Sequence, residues 1–148
     1  MELIMYKQQH LAYVLDIYVR AFTAPPLNYD FITHEKAERY INSITMSPGF
    51  LGYTYWQESQ MYAFVFGELD DYFDGSLFHI KEFAVSPDSQ GMGIGSKAMA
   101  LLESKLAGYG VKAINLHTSR RLPAYEFYTK NGYAEVEENV CLMKWLQK

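Results

Sequence analysis

Chemistry in this chain is most plainly suggested by twelve consecutive residues, Val85-Ser86-Pro87-Asp88-Ser89-Gln90-Gly91-Met92-Gly93-Ile94-Gly95-Ser96. β-formers precede the segment and a helical apolar period follows it, so it reads as a strand end, a tight turn and a helix start. Glycines at alternate positions let the backbone approach a ligand closely, and the first helical turn offers unpaired N–H groups and the positive end of the helix dipole. Such a turn suits an anion, and a diphosphate above all. Gly91, Gly93 and Gly95 do not give the dinucleotide fingerprint, whose third glycine falls one position later, and no GxxxxGK[ST] occurs. The plain alternative is an ordinary strand-to-helix turn.

The elements that must hold this turn follow from periodicity. Glu2 to Lys7 forms a short strand candidate, and Leu11, Val14, Leu15, Tyr18 and Phe22 recur at helical spacing. The tandem Pro25-Pro26 breaks that helix. Thr33 is placed to cap a second helix, with Glu35 near its positive end and Ala37, Tyr40, Ile41 and Ile44 as its buried stripe, before Pro48-Gly49 stops it. Three β-rich runs come next, Phe50 to Trp56, Met61 to Leu69 and Leu77 to Val85, with connections short enough for an antiparallel meander. The helix after the glycine turn buries Ile94, Ala98, Leu101 and Leu102 and ends near Gly108 or Gly110. Ala113 to His117 is a strand, Ala124 to Lys130 a short helix, and Tyr133 to Leu146 supplies one or two last strands. The passage from Leu77 to His117 requires a right-handed crossover between parallel neighbours, so the sheet is mixed.

Gln90-Gly91-Met92-Gly93-Ile94-Gly95 resembles the diphosphate loop of the GNAT N-acetyltransferase superfamily, Q/R-x-x-G-x-G/A, after a strand ending in V-x-P. Pro123-Ala124-Tyr125-Glu126-Phe127-Tyr128-Thr129-Lys130-Asn131-Gly132-Tyr133 is similar to that family's A-x-x-F-Y-x-x-x-G-F/Y segment. The resemblance covers essentially the whole chain. It implies one α/β domain over residues 1–148, with a mixed, mostly antiparallel sheet of six to seven strands, about four flanking helices and a V-shaped splay between strands 4 and 5.

It also implies acetyl-CoA as co-substrate, without a metal. Phe83, Ala84 and Val85 would pair with the pantetheine arm in the splay. Gln90, Gly91, Met92, Gly93, Ile94, Gly95 and Ser96 would hold the diphosphate. Thr118, Pro123, Ala124, Phe127, Tyr128 and Lys130 would complete the coenzyme site. An N–H at Val85 or a neighbour would face the thioester carbonyl, where a fixed donor is worth about 3 kcal/mol as charge develops. An alkylammonium has a pKa of about 10.4, so its proton must be removed before attack, and Glu82 is the candidate base. Glu68, His79 and His117 are rivals. Tyr128 falls on the family's usual general acid and would protonate the departing thiolate. The plain readings stand beside these: Tyr128 as a core aromatic, Glu82 as a solvated or ion-paired strand residue. Arg120 and Arg121 would bind the coenzyme's 3′-phosphate or merely close a strand end.

Composition narrows the partners. With 49% apolar and 20% charged residues over 148 positions, the chain is globular and not disordered. A formal charge of −4 without runs of like charge argues against nucleic acid and favours a cationic partner. The single cysteine, Cys141, excludes an internal disulfide and is expected to be a small buried hydrophobe. The first residues lack a signal peptide's pattern and no apolar stretch is long enough to span a membrane, so a cytoplasmic protein without membrane association is expected. The acidic Glu68, Asp70, Asp71 and Asp74 and the aromatic Tyr29 and Phe31 lean the acceptor toward a small cationic amine, a polyamine or aminosugar. The alternatives are a protein lysine or N-terminal amine, a non-catalytic acetyl-CoA sensor, and, remotely, a nucleotide-binding domain. The resemblance also allows a homodimer.

Overall fold

The computed structural model describes residues 1–147. Their order is β1 (Glu2–Met5), α1 (Leu11–Thr23), α2 (His34–Thr45), β2 (Phe50–Gln57), β3 (Gln60–Tyr72), β4 (Gly75–Val85), α3 (Ile94–Gly108), β5 (Val111–Leu116) and α4 (Pro123–Lys130). The chain divides into two compact units, Met1–His117 and Thr118–Lys148.

In the first unit the strands form one sheet in the order β1-β2-β3-β4-β5. The first four pair antiparallel, and two-residue turns join β2 to β3 and β3 to β4. β5 pairs with β4 in parallel, which the α3 crossover makes possible. α1 and α2 pack on one face through Val14, Leu15, Ile17, Tyr18, Ala37, Ile41 and Ile44 against Phe64, Phe66 and Ala84. α2 starts where Thr33 Oγ1 accepts the Lys36 N–H at 3.2 Å, the expected cap. On the other face Ala63 and Val65 are fully buried, and the remaining helix of this unit, α3, buries Ala98, Met99, Leu102 and Leu106. Leu101, expected in that stripe, is exposed, and Met99 takes its place.

One irregularity in β4 matters for the site. Gly67 pairs with Ile80 but the adjacent Phe66 pairs with Glu82, so Lys81 is an extra residue, a β-bulge. Phe66 and Gly67 lie on opposite faces of β3, and their partners follow them. Ile80 therefore faces the α3 side, while Glu82 and Ala84 face α1 and α2. A Cβ added at Gly67 would collide with the His79 carbonyl oxygen and come within 2.6 Å of the Phe78 ring, so the bulge admits only glycine there.

In the second unit α4 begins with Pro123 in its first turn, where a missing N–H costs nothing. Tyr128 is buried, with its ring edge-on to Tyr133 at 5.4 Å and to Phe127 at 5.1 Å. The strands expected between Tyr133 and Leu146 are not formed, so the sheet has five strands and not six or seven. Glu135, Glu137, Glu138 and Asn139 interrupt the β-formers, and no ladder takes up the backbone groups of the segment. Cys141 lies in it and is exposed, contrary to the expectation of burial. Among the described residues no helix is long and apolar enough to cross a membrane.

Candidate active site

The glycine turn lies at the end of β4, entered through a single 3-10 turn at Pro87–Ser89. Gly91 and Gly93 adopt φ of +77° and +78°, in the left-handed region that side chains resist, and a Cβ on either would meet nothing within 4 Å. Glycine is needed here for backbone shape and not for lack of room. Gly93 is the N-cap of α3 and has no side-chain cap, so the first-turn N–H groups of a four-turn helix face outward without a side-chain acceptor. Met92 and Ser96 are exposed, Gly95 is partly covered, and the Ile94 side chain turns into the core, leaving its backbone at the turn. Gln90 donates from Nε2 to the Val85 carbonyl at 3.2 Å and ties the turn to the strand end. Arg20 of α1 holds the turn from the other side through Asp88 at 2.6 Å. Open amides at a helix N-terminus are what a diphosphate requires, so these residues fit the coenzyme that the motif implies.

β4 and β5 pair only from Ser76 with Val111 to Ile80 with Leu116. Beyond that point Glu82 to Val85 keep β3 on one side and have no β5 partner on the other. Phe83, Ala84 and Val85 thus border a gap between two parallel strands. Of the N–H groups near Val85, that of Ser86 already donates to the Tyr62 carbonyl at 2.8 Å.

Glu82 stands beside this gap on the α1 and α2 face. It is partly buried, and Tyr40 donates its hydroxyl to Glu82 Oε1 at 2.8 Å. Burial pushes the Glu82 carboxyl up to about 7, against the opposing pull of the Tyr40 hydrogen bond. Tyr40 and Tyr18 are themselves pushed up, by burial first and then by the nearby Glu82 charge, so both phenols stay protonated. The sequence placed Tyr40 in the buried stripe of α2, but the residue is 40% exposed and its hydroxyl serves the carboxylate. Tyr18, on the helical stripe of α1, is in the core. Helical spacing gives the same signature for a core residue and for one whose tip leaves the core, so the part of Tyr40 was not visible.

The rival bases are otherwise engaged. Glu68 accepts from Ser47 Oγ at 2.8 Å and lies 4.0 Å from Lys81 Nζ. His79 Nδ1 pairs with Asn115 Oδ1 at 3.0 Å, and its ring lies 5.1 Å from that of His117. In the second unit Arg120 grips both carboxylate oxygens of Glu135, at 2.5 and 2.9 Å, so its guanidinium is committed. There α4 carries Pro123, Ala124, Phe127, Tyr128 and Lys130, with Lys130 bound to Glu126 at 2.9 Å, and Thr118 opens the unit.

Known structures share this architecture. An aminoglycoside antibiotic 6′-N-acetyltransferase from Acinetobacter haemolyticus superposes with a TM-score of 0.72 at 11% identity, over 99% of this chain and 100% of the other. A possible acetyltransferase from Clostridium difficile 630 gives 0.79 at 10% identity, over 99% and 98%. An aminoglycoside acetyltransferase from an uncultured soil metagenomic sample, in complex with trehalose, gives 0.72 at 16% identity, over 99% and 96%. At these identities the likeness is one of fold, and no protein of curated function matches the sequence. The model of the acetyltransferase (GNAT) family matches residues 11–133, the span that holds the open glycine turn, the parted strands and α4, and the chain belongs to that family.

Proposed function

We propose that this protein is an acetyl-CoA-dependent N-acetyltransferase acting on a primary amine of a small molecule. What carries the reading is the pair of left-handed glycines ahead of α3, whose open amides suit a diphosphate next to the end of β4 that runs on past its pairing with β5. GNAT enzymes use acetyl-CoA, which supplies the activated acetyl group when bound. Gln90 to Ser96 would hold the diphosphate, and the backbone of Phe83 to Val85 the pantetheine arm. Glu82 takes the proton from the acceptor ammonium, directly or through a water, and its raised pKa suits exchange near neutral pH. The freed amine nitrogen bonds to the acetyl carbon and sheds a second proton to water as the carbon–sulfur bond breaks, and the sulfur leaves with the bonding pair. Tyr128 is the proposed donor of the proton that neutralises the thiolate, on the resemblance of its segment. Transfer is direct, without an enzyme nucleophile.

The polyamine or aminosugar version of the acceptor drew on the acidic hairpin. That attraction is weakened, because Glu68 is bound by Ser47 and close to Lys81, and Lys112 pairs with Asp74. Cytoplasmic location and a homodimer belong to the same proposal. Calorimetry with acetyl-CoA, paired with acetyl transfer to a panel of amines, tests it. The wild type binds the coenzyme and acetylates amines. Gly93→Val stays folded by circular dichroism but binds at least about tenfold more weakly, since a β-branched residue resists positive φ and turns the amides away. A wild type that does not bind the coenzyme overturns the reading, and one that binds it but acetylates nothing is a sensor module instead.

A further inference from the structure

We propose that the cavity beside Glu82 takes the apolar body of the acceptor, so that the substrate is a primary amine on an aromatic or bulky hydrocarbon group, and not a polyamine or an aminosugar. The inference rests on the transferase reading and names its substrate class. The cavity, about 310 Å³, is lined by Tyr18, Phe31, Ile32, Lys36, Ala37 and Tyr40. That volume lies at the small end for ligand pockets and suits one compact organic group. Its wall is apolar, built of three aromatic rings, an isoleucine and an alanine, with the Lys36 stem beside them.

Three observations choose the occupant. A hydroxyl-rich sugar placed here would leave its donors and acceptors facing hydrocarbon, and each unmet polar group costs about 1–3 kcal/mol. A polycation would bring further charges to the Lys36 ammonium. The route from cavity to carboxylate is marked by a single side chain, since Tyr40 lines the cavity with its ring and donates its hydroxyl to Glu82 Oε1 at 2.8 Å. Tyr18 lines it too, with its ring centroid 6.0 Å from that of Tyr40. An amine on a short arm, its body against these rings, would bring its one charge to the carboxylate that takes its proton. Phe31 closes the rim from the loop between α1 and α2 and is 65% exposed, as a wall awaiting a hydrophobic partner would be.

The test compares kcat/KM for 2-phenylethylamine, ethylamine, spermidine, sisomicin and a lysine peptide with acetyl-CoA. 2-Phenylethylamine should exceed ethylamine by about tenfold to a hundredfold, the return on burying one ring. Phe31→Ala should lower that ratio about tenfold, mainly through KM, while Phe31→Leu, which keeps a hydrocarbon wall, retains most of it. A higher kcat/KM for spermidine, sisomicin or the peptide overturns the inference and leaves the transferase standing. So does a ratio that Phe31→Ala does not change. If acetyl-CoA binds and none of the five amines is acetylated, the transferase reading falls and this inference with it.

Discussion

Glu82 is pulled two ways, and the balance gives it a measurable signature. Burial raises its carboxyl to about 7 while the Tyr40 hydroxyl favours the charged form. A base must be ionised, so kcat/KM is expected to rise through about pH 7 and then level where the acceptor's own titration permits. Glu82→Gln should remove that limb and lower turnover about a hundredfold to ten-thousandfold. A stability effect of known sign accompanies it. The folded protein binds a proton that the unfolded chain, with a glutamate pKa of about 4.3, has released, so this residue lowers stability progressively as pH rises from about 4.3 to about 7. Thermal unfolding of Glu82→Gln should therefore gain on the wild type over that window and hold the gain above it. A Glu82→Gln variant with an unchanged pH profile would remove Glu82 from the chemistry. The sequence singles out Glu82 through the family resemblance, because it precedes Phe83 to Val85. Its partner Tyr40 was not, since 42 positions separate them and only the packing of α2 on the sheet brings them together.

At the scale of elements, the glycine turn and the β4 bulge make opposite demands on glycine. Gly91 and Gly93 are held by backbone conformation, with space around them, whereas Gly67 is held by crowding. Gly67→Ala should cost about 1–3 kcal/mol of stability, the usual range for overfilling a packed site, as read from the midpoint of urea unfolding. A neutral substitution would show that the Phe78 ring and the His79 carbonyl can move aside freely. The turn was readable because its three glycines sit where a strand pattern gives way to a helical one. The bulge was not, since Ile80-Lys81-Glu82-Phe83 reads as an unbroken strand and the extra residue exists only relative to β3. The expected strands past Tyr133 failed for a related reason, as apolar content marks a segment that could pair but says nothing of whether a sheet edge receives it.

For the whole molecule, five strands and four helices were placed within a few residues from pattern alone, and the fold recurs in acetyltransferase structures at 10–16% identity. Periodicity and turn chemistry survive such divergence because burial constrains residue class more than identity. The cavity on the α1 and α2 face did not show in the sequence, as Tyr18, Phe31 and Tyr40 come from three separate segments. A net charge of −4 should draw a cationic amine weakly, so kcat/KM is expected to fall modestly between about 0.01 and 0.15 M salt, over which the screening length shrinks from about 30 to about 8 Å. A rate that rises with salt would count against an acidic approach path. Lys81 is surplus to the ladder, so Ile80 and Glu82, two apart in sequence, stand on opposite faces of the sheet. Loss of Lys81 would close the bulge and leave Glu82 opposite Phe66 on its present face, whereas loss of a residue between Glu82 and Val85 would put the strand end out of step with β3. The bulge is therefore the point at which β4 can shorten without changing the layer that receives the carboxylate.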